Sequence, residues 1–122
     1  NMINFKNLSV WRASMAFTAN LYLNINEITK DEKYELSMQM KRASVSICSN
    51  IAEGTSRKTK KDISRFFVIA LGSSFELETQ LILTKELHLM DSEIVNLRLK
   101  ELNHIQGMLN KYNQKLLDNF VE

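Results

Sequence analysis

At 122 residues, with 44% hydrophobic and 25% charged side chains and a net charge of +2, the chain fits one domain spanning 1–122 and is neither a disordered nor a fibrous sequence. It has no proline, and its only glycines are Gly54, Gly72 and Gly107, so tight turns and β-hairpins lack their usual chemistry while long helices meet few obstacles. Charge is unevenly spread: residues 1–65 hold 11 Lys+Arg against 6 Asp+Glu, and residues 66–122 hold 5 against 8, which predicts one basic end or face.

Leu8, Trp11, Met15, Thr18, Tyr22 and Ile25 recur at steps of three and four, and predict a first helix over about 8–28 whose buried face they form, widened by Ala13, Ala16, Phe17 and Leu21. A second helix over about 30–54 carries Leu36, Met40, Ala43, Ile47 and Ile51 on one stripe. Ser44, Ser46, Ser49 and Ala52 keep its flanks narrow enough for a neighbour to come close. Its start has two candidate caps: Thr29 with Glu32 three residues later forms a capping box, and Ser37 could cap after a short turn.

The third helix, over about 59–89, starts from Thr59 as N-cap with Asp62 three residues later. Gly72 stands near its middle, where glycine costs about 1 kcal/mol relative to alanine, and the expectation is that its missing side chain admits a neighbouring group. Phe66, Phe67, Ile69, Ala70 and Leu71 cannot all face one small core, so part of this helix is expected to meet another subunit. The fourth helix, over about 91–120, starts from Asp91 with Glu93 in its first turn, and places Ile94, Leu97, Leu102, Ile105, Leu109, Tyr112 and Leu116 inward. Short connections favour antiparallel neighbours, hence an all-α, up-down-up-down four-helix bundle.

The chemical searches end without an active site. Cys48 is the one cysteine and reads as a small buried residue, with no histidine or aspartate at a spacing that would make it a nucleophile. His88 follows Glu86 by two residues, the wrong spacing for the Glu-x-x-His of di-iron bundles, and three scattered glycines cannot form a phosphate-binding loop. The expectation is therefore no enzyme, no metal and no cofactor. No apolar run approaches the roughly 20 residues of a membrane span, and the first residues lack a signal-peptide pattern, which predicts a cytoplasmic protein without a membrane partner.

Ser46-Ile47-Cys48-Ser49-Asn50-Ile51-Ala52-Glu53-Gly54 resembles the S-I-P-x-N-I-A-E-G signature of the 23S rRNA intervening-sequence protein family. Leu8-x-Val10-Trp11, Gln39-x-x-Arg42-Ala43 and Ile69-Ala70-x-Gly72-Ser73-x-x-Glu76-Leu77-Glu78 are similar to further motifs of that family, so the likeness runs over about residues 5–116. Cys48 and Lys30 stand where the family commonly has proline. The resemblance implies a bundle that associates as a ring, a homopentamer. It also implies kinship with accessory proteins of diversity-generating retroelements, which engage nucleic acid and a reverse transcriptase through a basic surface.

A hairpin between helices two and three centred on 56–57 would bring Gln39 and Arg42 near Gly72 to Glu76, and Asn50 near Ser64. In that register Arg42 and Glu76 form an interhelical ion pair and Asn50 bonds across the hairpin, fixing register. Glu53 and Gly54 close helix two, with Gly54 in a left-handed C′ position. The strongest functional candidate is Arg57-Lys58-Thr59-Lys60-Lys61 with Arg65 one turn on, since cations crowded at a helix N-terminus are unfavourable unless an anion binds. The plainer reading is a solvated loop that aids solubility. The favoured reading is a non-enzymatic ring that binds structured RNA, or DNA, by backbone contact through this loop. Its alternative is an oligomeric adaptor for a protein partner.

Overall fold

The structure, a computed structural model, describes residues 3–28 and 34–121. A short 3-10 turn, Phe5–Asn7, leads into α1 (Ser9–Asn26), α2 (Tyr34–Gly54), α3 (Lys60–Glu86) and α4 (Ser92–Val121). Each helix packs on two others in the cyclic order α1, α2, α3, α4, and the diagonal pairs do not meet among the described residues. Partner numbers run in opposite directions along every tested seam: Thr18 bonds Ser44 and Asn26 bonds Lys41, Ser46 bonds Ser73 and Thr84 bonds Met40, Glu78 bonds Gln106 and Lys85 bonds Asn96. The bundle is thus antiparallel and up-down-up-down. The Thr29–Glu32 capping box lies outside the described residues, and Ser37, the other candidate cap, is a buried residue inside α2.

The core is filled by Phe17, Leu21, Met40, Ile47, Ile51, Phe67, Leu77, Leu81, Leu102, Ile105 and Leu109. On α2 the expected stripe is the observed one. On α1 it is rotated by about one residue: Val10, Ser14, Phe17, Leu21 and Ile25 point inward, while Met15 is exposed. Both stripes are apolar at helical spacing, so periodicity alone does not choose between them. On α4 the same ambiguity misplaces Leu97, which is 48% exposed, whereas Val95 is fully buried and Arg98 takes the next inward place. Arg98 pairs its charge by donating from Nη1 to Glu101 at 2.8 Å, while its buried Nε has no hydrogen-bond partner among the described residues.

Helix ends follow the side-chain chemistry. Thr59 Oγ1 accepts from the Asp62 amide at 3.1 Å, and Asp91 Oδ1 from the Glu93 amide at 3.0 Å. α3 stops at Glu86, short of Leu89, through a left-handed residue that is not glycine: His88 has φ 55°. The Leu89 amide bonds the Thr84 carbonyl and the His88 amide that of Lys85, the two bonds of a Schellman motif. By length and composition Lys60–Glu86 would suffice to cross a membrane, contrary to the sequence expectation. Its inward stripe of Ile63, Phe67, Ala70, Leu77 and Leu81 is instead packed in the bundle core.

Gly54 is not left-handed: it is the last residue of α2, and no described glycine has positive φ. Its role is close approach. A Cβ there would lie 2.8 Å from Phe66 Cβ. α2 ends instead through hydroxyls, Thr55 Oγ1 donating to the Ala52 carbonyl and Ser56 Oγ to the Glu53 carbonyl, both at 2.7 Å. This close contact also sets the register. Gly54 meets Phe66, and Ser46 meets Ser73 rather than Val68, because the exposed first turn of α3, Lys60 to Asp62, overhangs the end of α2 before Ile63 turns into the core.

Candidate nucleic-acid interface

The shifted register dissolves two expected contacts. Arg42 and Glu76 are both exposed and form no ion pair with each other; Glu76 accepts only a long bond from Gln80 Nε2, 3.4 Å. Asn50 does not cross the hairpin. Its Nδ2 donates to the Ser46 carbonyl at 2.8 Å and to Ser46 Oγ at 3.0 Å, and it is Ser46 Oγ that shares a 2.9 Å hydrogen bond with Ser73 Oγ on α3. The amide therefore orients the serine that makes the interhelical bond. Gly72 is also unlike its expectation, since a Cβ there would meet nothing within 4 Å in this chain.

The basic residues converge as the sequence suggests. Arg57, Lys58, Lys60, Lys61 and Arg65 are all exposed around the α2–α3 connection. Both arginines lie against one ring: their guanidinium carbons stand 4.6 Å (Arg57) and 5.0 Å (Arg65) from the centroid of Phe66. Cation–π attraction and the apolar stems of the arginines hold both heads in place and cover the ring, which is only 7% exposed. Glu53 approaches Arg57 at 3.7 Å and Asp62 approaches Arg65 at 4.0 Å. These exposed pairs are worth little energetically, but they partly neutralise the arginines. Lys58, Lys60 and Lys61 have no carboxylate within ion-pair distance among the described residues, and form the uncompensated part of the cluster.

Antiparallel topology brings further cations to the same end, which the reading of the loop alone missed. Lys6, on the turn before α1, lines a hollow with Ala52, Thr55 and Ser56 beside the loop. Arg12 is fixed nearby by a 2.7 Å bond from its Nε to the Lys6 carbonyl. Lys111 and Lys115 of α4 flank a second hollow of about 330 Å³ against Leu8, Ser9 and Val10. The Phe67–Tyr112 stack, centroids 4.8 Å apart, fixes α4 at that height. These residues are far apart in sequence, and only the up-down order places them together. The opposite end carries Glu27, Glu86, Asp91 and Glu93, all exposed, so the bundle is polarised along its axis.

Among the described residues no group of three His, Cys, Asp or Glu side chains could hold a metal ion. Cys48 is buried and its thiol donates to the Val45 carbonyl at 3.4 Å; burial pushes the thiol pKa up, so it is held as an unreactive thiol.

No curated protein matches the chain. Among solved structures it is similar to the crystal structure of a protein of unknown function from the S23 ribosomal protein family of Bacteroides thetaiotaomicron, with a TM-score of 0.80, 22% identity, and coverage of 85% of this chain and 97% of that one. That likeness bears on the fold. The model of the family described as 23S rRNA-intervening sequence protein matches residues 6–111, which hold the signature around Asn50, the basic connection and the α3 motif, and the chain belongs to that family.

Proposed function

We propose that this protein is a non-enzymatic, self-assembling helical bundle that binds structured RNA, or another nucleic acid, through its basic end, with copies arranged as a ring of five. The observation that carries the reading is the convergence of the uncompensated lysines Lys58, Lys60 and Lys61 with Lys6, Lys111 and Lys115 at one end of the bundle. Phosphate neutralisation by such a surface releases counterions and makes affinity fall steeply with salt. Repeating the surface around a ring multiplies weak contacts. Phe66, the ring among the loop cations, is buried beside Arg57 and Arg65, and the basic loop offers no exposed ring of its own, which favours backbone contact over base stacking there.

Fluorescence anisotropy against a labelled structured RNA and a DNA duplex, at two salt concentrations, tests this reading. The expected result is binding that weakens strongly with salt and is lost on charge reversal at Lys58, Lys60 and Lys61. Binding unchanged by that reversal removes the basic end from the function. Absence of binding at low salt leaves the adaptor reading, which the exposed apolar residues of α3 favour, and for which a protein partner should survive nuclease treatment in a pull-down.

A further inference from the structure

The basic end carries a hollow whose apolar walls phosphate contact alone does not use. On α4, Met108, Lys111, Tyr112 and Lys115 follow at steps of three, one and three, so they share one side of the helix. Antiparallel packing sets that side against Leu8, Ser9 and Val10 at the start of α1. The hollow between them has a volume of about 330 Å³, at the lower end of the roughly 300–1,000 Å³ that receives small organic groups. Leu8, Val10, Met108 and the tyrosine ring make its walls mostly apolar, and no carboxylate lines it. The larger groove farther along the same seam has Glu101 beside Lys100 and His104, so charge does not select an anion there.

Charge does select one at the hollow. Lys111 and Lys115 stand one helical turn apart, where like charges repel, and neither has a carboxylate within ion-pair distance among the described residues. An anion seated between them removes that repulsion. Tyr112 is held beside them by Phe67, which stacks on it with centroids 4.8 Å apart and planes 17° from parallel. One ring face is thereby covered, and the hollow meets the rest of the ring. The Tyr112 hydroxyl makes no hydrogen bond among the described residues, and burial pushes its pKa up, so at neutral pH it is an uncommitted donor. A fixed aromatic ring, apolar walls, a hydroxyl donor and two cations match a nucleobase and its phosphate: flat apolar faces, an edge with acceptors, and an anion one sugar away. A base inside a duplex stays in its stack and cannot enter.

We infer that the hollow takes the base of an unpaired nucleotide in the bound nucleic acid, with the adjoining phosphate held by Lys111 and Lys115. The inference rests on the proposed function and narrows it, because the preferred ligand then has a loop, bulge or single-stranded end. Backbone contacts of the α2–α3 connection supply affinity without discrimination, and the hollow discriminates.

Fluorescence anisotropy of the whole chain compares two RNAs of equal phosphate count at one salt concentration, a stem with an unpaired loop and a fully paired duplex. The looped RNA is expected to bind roughly tenfold tighter, which one stacked base can supply. Equal or tighter duplex binding overturns the inference and leaves the phosphate-binding end standing, whereas absence of binding by both removes the proposed function with it. Ser9→Leu fills the hollow without a change of charge and without touching the core, since Ser9 is exposed. It should bring the looped RNA down to the duplex level, with duplex affinity and helical circular dichroism unchanged; a preference that survives the substitution overturns the assignment. Iodouridine placed in the loop reports position, because irradiation should link it to the α4 peptide that holds Tyr112. Linkage instead to Phe5 or Trp11, the ring pair at the start of the chain, also overturns it. Dodecanoate that binds the unaltered chain and not Ser9→Leu, with looped and paired RNA bound alike, would assign the hollow to an aliphatic carboxylate.

Discussion

His88 shows how a single position can hold a boundary against its own preference. Its φ of 55° lies in the left-handed region, which costs a residue with a Cβ roughly 1–2 kcal/mol, and the Schellman bonds around it recover the carbonyls at the end of α3. His88→Gly removes that strain but adds about 0.5–1 kcal/mol of unfolded-state freedom, so a net gain of up to about 1.5 kcal/mol is expected, measured as a raised urea midpoint with unchanged slope. Gly54 responds in the opposite sense. Alanine is the better helix former by about 1 kcal/mol, yet its Cβ would sit 2.8 Å from Phe66 Cβ. A Cβ–Cβ clash cannot be relieved by rotating a side chain, and overpacking costs about 1–3 kcal/mol, so Gly54→Ala should lower the urea midpoint. Cys48 and Tyr112 make stability sensitive to alkali. Burial raises both above their ordinary values of 9.0 and 10.0, so above pH 9.0 the unfolded chain loses protons that the folded chain retains. Stability contributed below that pH is then lost as pH rises. Thermal melts should fall between pH 8 and pH 10, and the Cys48→Ala chain should fall less.

At the scale of the helix, legibility depended on how many faces were apolar. α2 has one stripe and polar or small flanks, so Met40, Ala43, Ile47 and Ile51 were readable as core. α1 and α4 offer two overlapping stripes, and the choice between Met15 and Phe17, or Leu97 and Val95, is made by which neighbours exist, a tertiary fact. The hairpin register is hidden for a similar reason: the loop centre suggests one pairing, whereas the Gly54–Phe66 approach fixes another, and nothing local to residues 55–59 reports that contact. Gly72 extends the point. An alanine there meets nothing within 4 Å, so Gly72→Ala should stabilise the chain by up to about 1 kcal/mol through helix propensity, read as a raised urea midpoint.

For the whole molecule, the basic run was legible from residues 57–65, but the charge of the surface it belongs to was not, because Lys6, Lys111 and Lys115 reach it only through the antiparallel order of four helices. This gives the proposed interface a testable breadth. If nucleic acid contacts the loop alone, Lys111→Gln with Lys115→Gln leaves affinity and its salt dependence unaltered. If it spans the bundle end, each lost phosphate contact lowers the slope of log K against log salt by roughly 0.7–0.9, so the double variant should reduce that slope by up to about 1.8. The matching control is Lys85→Gln at the opposite end, where Lys85 bonds Asn96 at 2.9 Å among exposed carboxylates, and it should change neither quantity. A slope that falls for Lys85→Gln as much as for the α4 pair would mean that net charge, rather than the polarised end, governs binding.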